Sequence, residues 1–289
     1  MKATCFVALV MGMVLVACGS EVLPPAPAPE PPAPCVENGR GPKMVRIPMS
    51  EGRTACIDTT EVTREQYAAF LADTNAHGAG SRLPNCGAAP YQDVPDAACS
   101  KEPTVCKGDC ARHPQVCVTH CNAQAFCSWA GRKLCGTVGD VVPTLPALED
   151  PRVSVWAAAC GAGSTDLGRA QRGYPYGDEF EPTACNTEAH PRTGCAAAPS
   201  TCGTVPVASL ERCRGPEPYA VFDMSGNVQE WIANSIGESQ WEKPYAYHMG
   251  GSFARFVESR EGDYDCVTSR RQEVFGVARP TIGFRCCAD

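Results

Sequence analysis

Apolar residues follow three different rhythms along this chain. Behind a single cation, Lys2, the run Cys5 to Ala17 carries no charge, and it is shorter than the roughly 20 residues a membrane-spanning helix needs. Further on, Met44-Val45-Arg46-Ile47-Pro48 and Ala55-Cys56-Ile57-Asp58 alternate around Ser50-Glu51-Gly52, which predicts a β-hairpin. The rhythm then turns helical. Thr63-Arg64-Glu65-Gln66 has capping-box spacing, Val62 and Tyr67 stand where a hydrophobic staple closes, and Tyr67, Phe70 and Leu71 give one apolar face through about Asp73. A second helix is expected after Thr119, with Ala123, Phe126, Cys127 and Ala130 on one face and a stop at Gly131. The rest is turn-rich, through Tyr174-Pro175-Tyr176-Gly177, Val205-Pro206-Val207 and Phe222 to Asn227, until a strand-like close at Thr281 to Cys286.

Composition sharpens this outline. The run ending in Leu15-Val16-Ala17-Cys18 has the layout of a secretory signal and resembles the bacterial lipobox, so residues 1–17 are expected to be removed and Cys18 to carry lipid. Three acyl chains, at about 0.8 kcal/mol per CH₂, make a lasting anchor. Residues 18–41 then form a lipidated N-terminus and tether. Its proline-dominated part, 20–34, cannot sustain a helix or a ladder, and at about 3.1 Å per residue it reaches roughly 45 Å. Gly19 follows the lipid cysteine with no aspartate to hold the protein at the inner membrane, so an outer-membrane location is expected.

Twenty cysteines in 289 residues fit an oxidising compartment. With Cys5 leaving in the signal and Cys18 taken by lipid, an even set remains for pairing. Between about 75 and 116 the close-set Cys86, Cys99, Cys106 and Cys110 predict a disulfide-stapled insertion. Zinc at Cys106, Cys110, Cys117 and Cys121 is disfavoured because paired C-x₂-C knuckles are lacking. A net charge of −7 argues against nucleic acid or anionic headgroups as partners.

Taken in order, M-V-R-I-P, C-I-D-T-T-E-V-T-R-E-Q-Y, F-C-S-W-A-G-R-K-L-C, Y-P-Y-G-D, D-M-S-G-N-V-Q-E-W, M-G-G-S-F and I-G-F-R-C form a series that resembles the formylglycine-generating enzyme, or sulfatase-modifying factor, family over about 42–289. The resemblance implies an α+β fold: an irregular mixed domain, poor in regular elements, disulfide-rich and related to C-type lectins. It implies disulfides between Cys127 and Cys286 and between Cys160 and Cys266. It also implies calcium at Asp223, Gly226, Val228 and Glu230, through carboxylates and turn carbonyls that suit a hard ion. The bare-turn alternative has Asp223 and Asn227 bonding their own backbone. A second calcium site would begin near Asn186, but its downstream aspartate is not evident.

The family's oxidases hold copper with two thiolates placed about three and eight residues after the serine of G-G-S. Counted from Ser252, those positions fall on Arg255 and Arg260, which offer no lone pair, so copper is not expected. The two arginines would suit an anionic ligand instead, with solvated loop residues as the plainer reading. Gln229 stands where the family has a cleft tryptophan, and His248 with Met249 is read as packing.

These features favour a non-catalytic, lipid-anchored binding or scaffold module, its partner an unidentified envelope protein or ligand besides the membrane itself. The alternative is a formylglycine-generating oxidase acting on a sulfatase cysteine. A sulfoxide synthase on the same fold would need a histidine triad on a further helical domain, whereas His77, His113, His120, His190 and His248 are scattered.

Overall fold

The structure is a computed structural model. It describes residues 4–10, 13–19, 34–35, 37–73, 86, 99, 106, 108–139, 141, 143–161, 172–194, 202–233, 245–254, 264–266, 268, 270–274 and 277–289. The chain divides into two compact units, Met1–Ala33 and Pro34–Asp289. In the first, strands β1 (Thr4–Val10) and β2 (Met13–Gly19) form an antiparallel pair with Cys5 opposite Cys18. The proline-rich stretch 20–33 lies outside the described residues. Among the described residues, no helix is long and apolar enough to cross a membrane.

The second unit opens with the hairpin the alternation predicts, β3 (Met44–Pro48) against β4 (Thr54–Asp58), in a register that sets Met44 opposite Asp58. Its turn is tight enough to need left-handed backbone at Glu51 (φ 61°) and Gly52 (φ 70°). Helix α1 (Arg64–Ala72) starts at the expected capping box: Gln66 N–H donates to Thr63 Oγ1, and Thr63 N–H donates back to Gln66 Oε1. Two of the helix's otherwise orphaned donors are thereby satisfied. Helix α2 (His120–Trp129) is capped by Thr119, whose hydroxyl accepts from Asn122 N–H at 3.1 Å.

The stretch that reads as turns holds more structure than its sequence announces. It contains β5 (Lys133–Leu134), α3 (Leu145–Glu149), α4 (Val155–Cys160), β6 (Gln229–Ile232), β7 (Tyr245–Met249) and β8 (Arg270–Val274). Every residue of α4 is buried. The expected closing strand is two strands, β9 (Ile282–Phe284) and β10 (Cys286–Ala288), separated by Arg285.

Two four-stranded sheets result, ordered β3-β4-β10-β5 and β8-β7-β6-β9. β9 runs parallel to β6, and one residue later the chain crosses into the other sheet, where β10 sits antiparallel between β4 and β5. One core, around Trp156, Met224, Ile232 and Met249, packs α4 between the sheets. The other gathers Tyr67 and Phe70 of α1, Phe126 of α2 and Phe284 of β9, with ring centroids 5.3–6.3 Å apart. Such stacked and edge-on pairs add to the area they bury.

Eight disulfides join described cysteines: 35–56, 86–121, 99–117, 106–110, 127–286, 135–287, 160–266 and 185–213. Cys202 is also disulfide-bonded, and no described cysteine is free. The thiols weighed for zinc are therefore spent in three separate bonds. Cys86 of the insertion is tied to Cys121 in the first turn of α2, and Cys99 to Cys117 just ahead of that helix.

Candidate functional site

Where β9 gives way to β10, Arg285 is fully buried and becomes the hub of a polar centre. Its Nε and Nη2 donate to Glu230 Oε2 and Oε1, both at 2.7 Å, forming a bidentate pair. Nη1 donates to Asp58 O at 3.0 Å, and Nη2 also reaches Phe222 O at 2.8 Å. Trp156 Nε1 completes the shell of Glu230 by donating to Oε2 at 2.7 Å. Alongside, the Asp58 carboxylate takes Arg132 Nη1 on one oxygen and Cys286 N–H, at 2.8 Å, on the other. Burial pushes Asp58 up to about 7 against the pull of Arg132.

A second pair of carboxyls in this centre has no cation of its own. Glu61 (0% exposed) and Asp223 (1%) belong to a buried cluster with Asn186 and Asn227. Asn227 Nδ2 donates to Glu61 Oε1 at 2.9 Å, Asn186 Nδ2 to Asn227 Oδ1 at 3.1 Å, and Ala208 N–H to Asp223 Oδ2 at 2.6 Å. Glu61 Oε2 and Asp223 Oδ1 find no donor among the described residues, and the two carboxyls feel each other's charge. They can bond each other only if one of them carries the proton. Burial holds Glu61 well above the usual carboxylate range, with Asp223 and Glu230 adding to the rise and Arg285 opposing it. Burial likewise lifts Asp223 to about 6, against the Ala208 amide and Arg285.

The two motifs that frame this centre meet through glycines. Gly226 (φ 83°) donates its N–H to Gly250 O at 2.6 Å, and a Cβ on Gly226 would lie 2.6 Å from Asn186 O. Only glycine permits that approach at a positive φ.

The structure thus draws Asp223, Gly226, Val228 and Glu230 into one region and engages each in a different way. Glu230 already accepts three hydrogen bonds, two of them from a full positive charge beside which a second cation would be repelled. Val228 packs with Cys99, Val116 and Cys117. Of the four, it is the Glu230 carboxylate that is already engaged, whereas Gly226 and Val228 would contribute only backbone carbonyls to an ion that wants six to eight oxygens. Among the described residues, no group of three or more His, Cys, Asp or Glu side chains could hold a metal. A copper ion held by two thiolates does not fit either, because no described cysteine has a free thiol; Cys266 is bonded to Cys160.

The remaining expected residues are placed as follows. Cys127–Cys286 and Cys160–Cys266, the pairs the resemblance implies, have S–S distances of 2.02 and 2.04 Å. Ser252 donates its hydroxyl to Ala254 O at 2.9 Å, whereas Arg255 and Arg260 lie outside the described residues. Gln229 is buried with Oε1 lacking a donor among the described residues. His248 and Met249 are both buried, His248 with its ring 6.0 Å from Trp231. Glu61 and Arg285 belong to the centre without standing in any motif for it, and their signal in sequence is a charge beside apolar residues, in T-E-V and F-R-C.

Comparison with known proteins agrees with this architecture. The family description "sulfatase-modifying factor enzyme 1-like domain" matches residues 12–289. The crystal structure of CarF is similar over 88% of this chain and 96% of its own, at 22% identity and a TM-score of 0.52, which shows a shared fold. PvdO from Pseudomonas aeruginosa aligns over 86% of this chain and 91% of its own, at 18% identity and a TM-score of 0.48.

Proposed function

The chain belongs to the sulfatase-modifying factor enzyme 1-like family, and from that premise we propose that it is a lipid-anchored, non-catalytic binding or scaffold module of the bacterial cell envelope. The observation that carries the reading is the state of the thiols. The oxidase chemistry implied by the family resemblance calls for two thiolates at one metal, and every described cysteine from Cys35 onward is committed to a disulfide. Many such bonds fit an exported protein, since the cytosol keeps thiols reduced. They also fix loops that carry little regular structure, and loops held on a rigid frame are where binding usually resides. Cys18 supplies the anchor in this reading, and the proline-rich segment after it supplies the reach from the membrane surface.

The test is mass spectrometry of a sulfatase-type cysteine peptide incubated with the purified protein, Cu(I), reductant and air. The expected result is an unchanged peptide. Conversion of the thiol to the aldehyde would overturn the proposal in favour of an oxidase.

A further inference from the structure

Between the Tyr174 turn and the segment that follows Cys213 lies a surface cavity of about 310 Å³, lined by Arg172, Tyr176, Glu181, Glu211, Arg212 and Arg214. Both walls are held from behind. Tyr174 and Gly177 exchange backbone hydrogen bonds at 2.8 and 3.2 Å, and Gly173 O accepts from the N–H of Cys266, itself bonded to Cys160. On the opposite wall, Cys213 is bonded to Cys185 and Gly215 N–H donates to Val221 O at 3.1 Å. The cavity is therefore preformed, and its volume is near the lower end of the roughly 300–1,000 Å³ common for small-ligand sites.

Its lining sets three guanidinium groups against two carboxylates. A protein with net charge −7 here turns three guanidinium groups toward one small space. Two of them have exposed partners: Arg212 holds Glu181, and Arg214 Nη1 holds Glu217 Oε1 at 2.5 Å. Exposed pairs of this kind are weak, so they exchange readily for a better-placed anion. Arg172 has no hydrogen-bond or ion-pair partner among the described residues, and neither has Glu211. Burial pushes the Tyr176 hydroxyl up to about 12, so this phenol stays neutral between the charged groups of the lining.

We propose that this cavity binds a small carboxylate ligand, with the Arg172 guanidinium taking the carboxylate and Glu211 taking N–H or O–H donors beside it. The planar fork of arginine matches a carboxylate in two parallel hydrogen bonds. A dianion such as sulfate fits less well, because the Glu181 and Glu211 carboxylates face the same space. One negative charge flanked by donors satisfies both kinds of lining group. Amino-acid derivatives and sugar acids share that chemistry. The inference rests on the binding-module reading above and gives it a ligand class and a place.

Ligand-observed saturation-transfer NMR on the full chain tests it with N-acetylalanine, glucuronate, their methyl esters and inorganic sulfate. Saturation transfer to at least one of the two acids is expected, with its ester silent, and which acid binds tells amino-acid from sugar chemistry. Arg172→Ala should weaken that acid about tenfold or more, and Arg172→Lys, which keeps the charge and loses the fork, should fall between. Silence from both acids, esters that bind equally, sulfate that competes as strongly as the acids, or an Arg172→Ala protein that binds like the parent would each overturn the assignment. None of these outcomes bears on oxidation of the cysteine peptide, so the two proposals fail separately.

Discussion

Glu61→Gln should change how the stability of this domain depends on pH. The buried centre holds four carboxyls, with Asp58 beside Arg132 and Glu230 beside Arg285; Glu61 and Asp223 are left to share one space without a cation. Both are raised, Glu61 well above its ordinary range and Asp223 from 3.8 to about 6. The folded protein then binds more protons than the unfolded chain across that interval, and stability falls as pH rises. The loss begins near the unfolded carboxyl values of about 4 and continues through the folded ones. For Asp223 alone, a rise of about two units corresponds to roughly 3 kcal/mol, at about 1.4 kcal/mol per unit. Glutamine in place of Glu61 keeps an oxygen for Asn227 Nδ2, gains an amide to donate to Asp223 Oδ1, and carries no charge. The variant should match the parent within about 1 kcal/mol at pH 5 and exceed it at pH 8. At about 2–4 °C per kcal/mol for a domain of this size, the gap is of order 10 °C in Tm. Thermal melts of both proteins from pH 4.5 to 8.5 measure it, and proton release on urea unfolding at pH 7 should be smaller for the variant. Parallel pH profiles with equal proton release would refute the reasoning.

Removing the hub should be costly. Arg285→Met leaves Glu230 buried without its counter-charge, and urea unfolding should show a loss of about 3–5 kcal/mol, partly restored by adding Glu230→Gln; a loss under about 1 kcal/mol would count against a hub role. Chelation should leave Tm unchanged at pH 7. A fall on chelation, with an ion found by elemental analysis, would instead place a cation between Asp223 and Glu61. Cys18→Ala should abolish incorporation of a fatty-acid analogue in cells, and equal labelling of variant and parent would remove the anchor.

What the sequence displays well is whatever is settled within a few residues. The capping box at Thr63 and Gln66 is one such case, since both partners lie in one helical turn and need nothing from the rest of the chain. The β3–β4 hairpin is another. Helix α4 was illegible for a physical reason: Val-Trp-Ala-Ala-Ala-Cys is apolar on every side, and an element buried all round has no period to read. The single closing strand expected at 281–286 became two because Arg285 crosses between sheets, and a crossing depends on partners far along the chain. The polar centre fell between these extremes. The motif D-M-S-G-N-V-Q-E placed Asp223 and Glu230 together, but the Arg285 that neutralises Glu230 is 55 residues away in sequence, and Glu61, whose charge Asp223 feels, is 162 away. Cysteine spacing alone leaves the connectivity open, since the number of possible pairings grows combinatorially.

Strand β10 completes its sheet from the last residues of the chain, and Cys286 and Cys287 bond Cys127 and Cys135 across 159 and 152 residues. In a polypeptide made N-terminus first, these partners arrive after every other bonded cysteine described. Pairs such as Cys106–Cys110 and Cys35–Cys56, separated by 4 and 21 residues, can close while the chain is still emerging. Cys127 and Cys135 must wait as thiols next to each other and to Cys121, in an oxidising space that rewards any nearby pairing. Pairing strictly in order of emergence would therefore not give the observed set, which calls for late closure or thiol exchange at these two bonds.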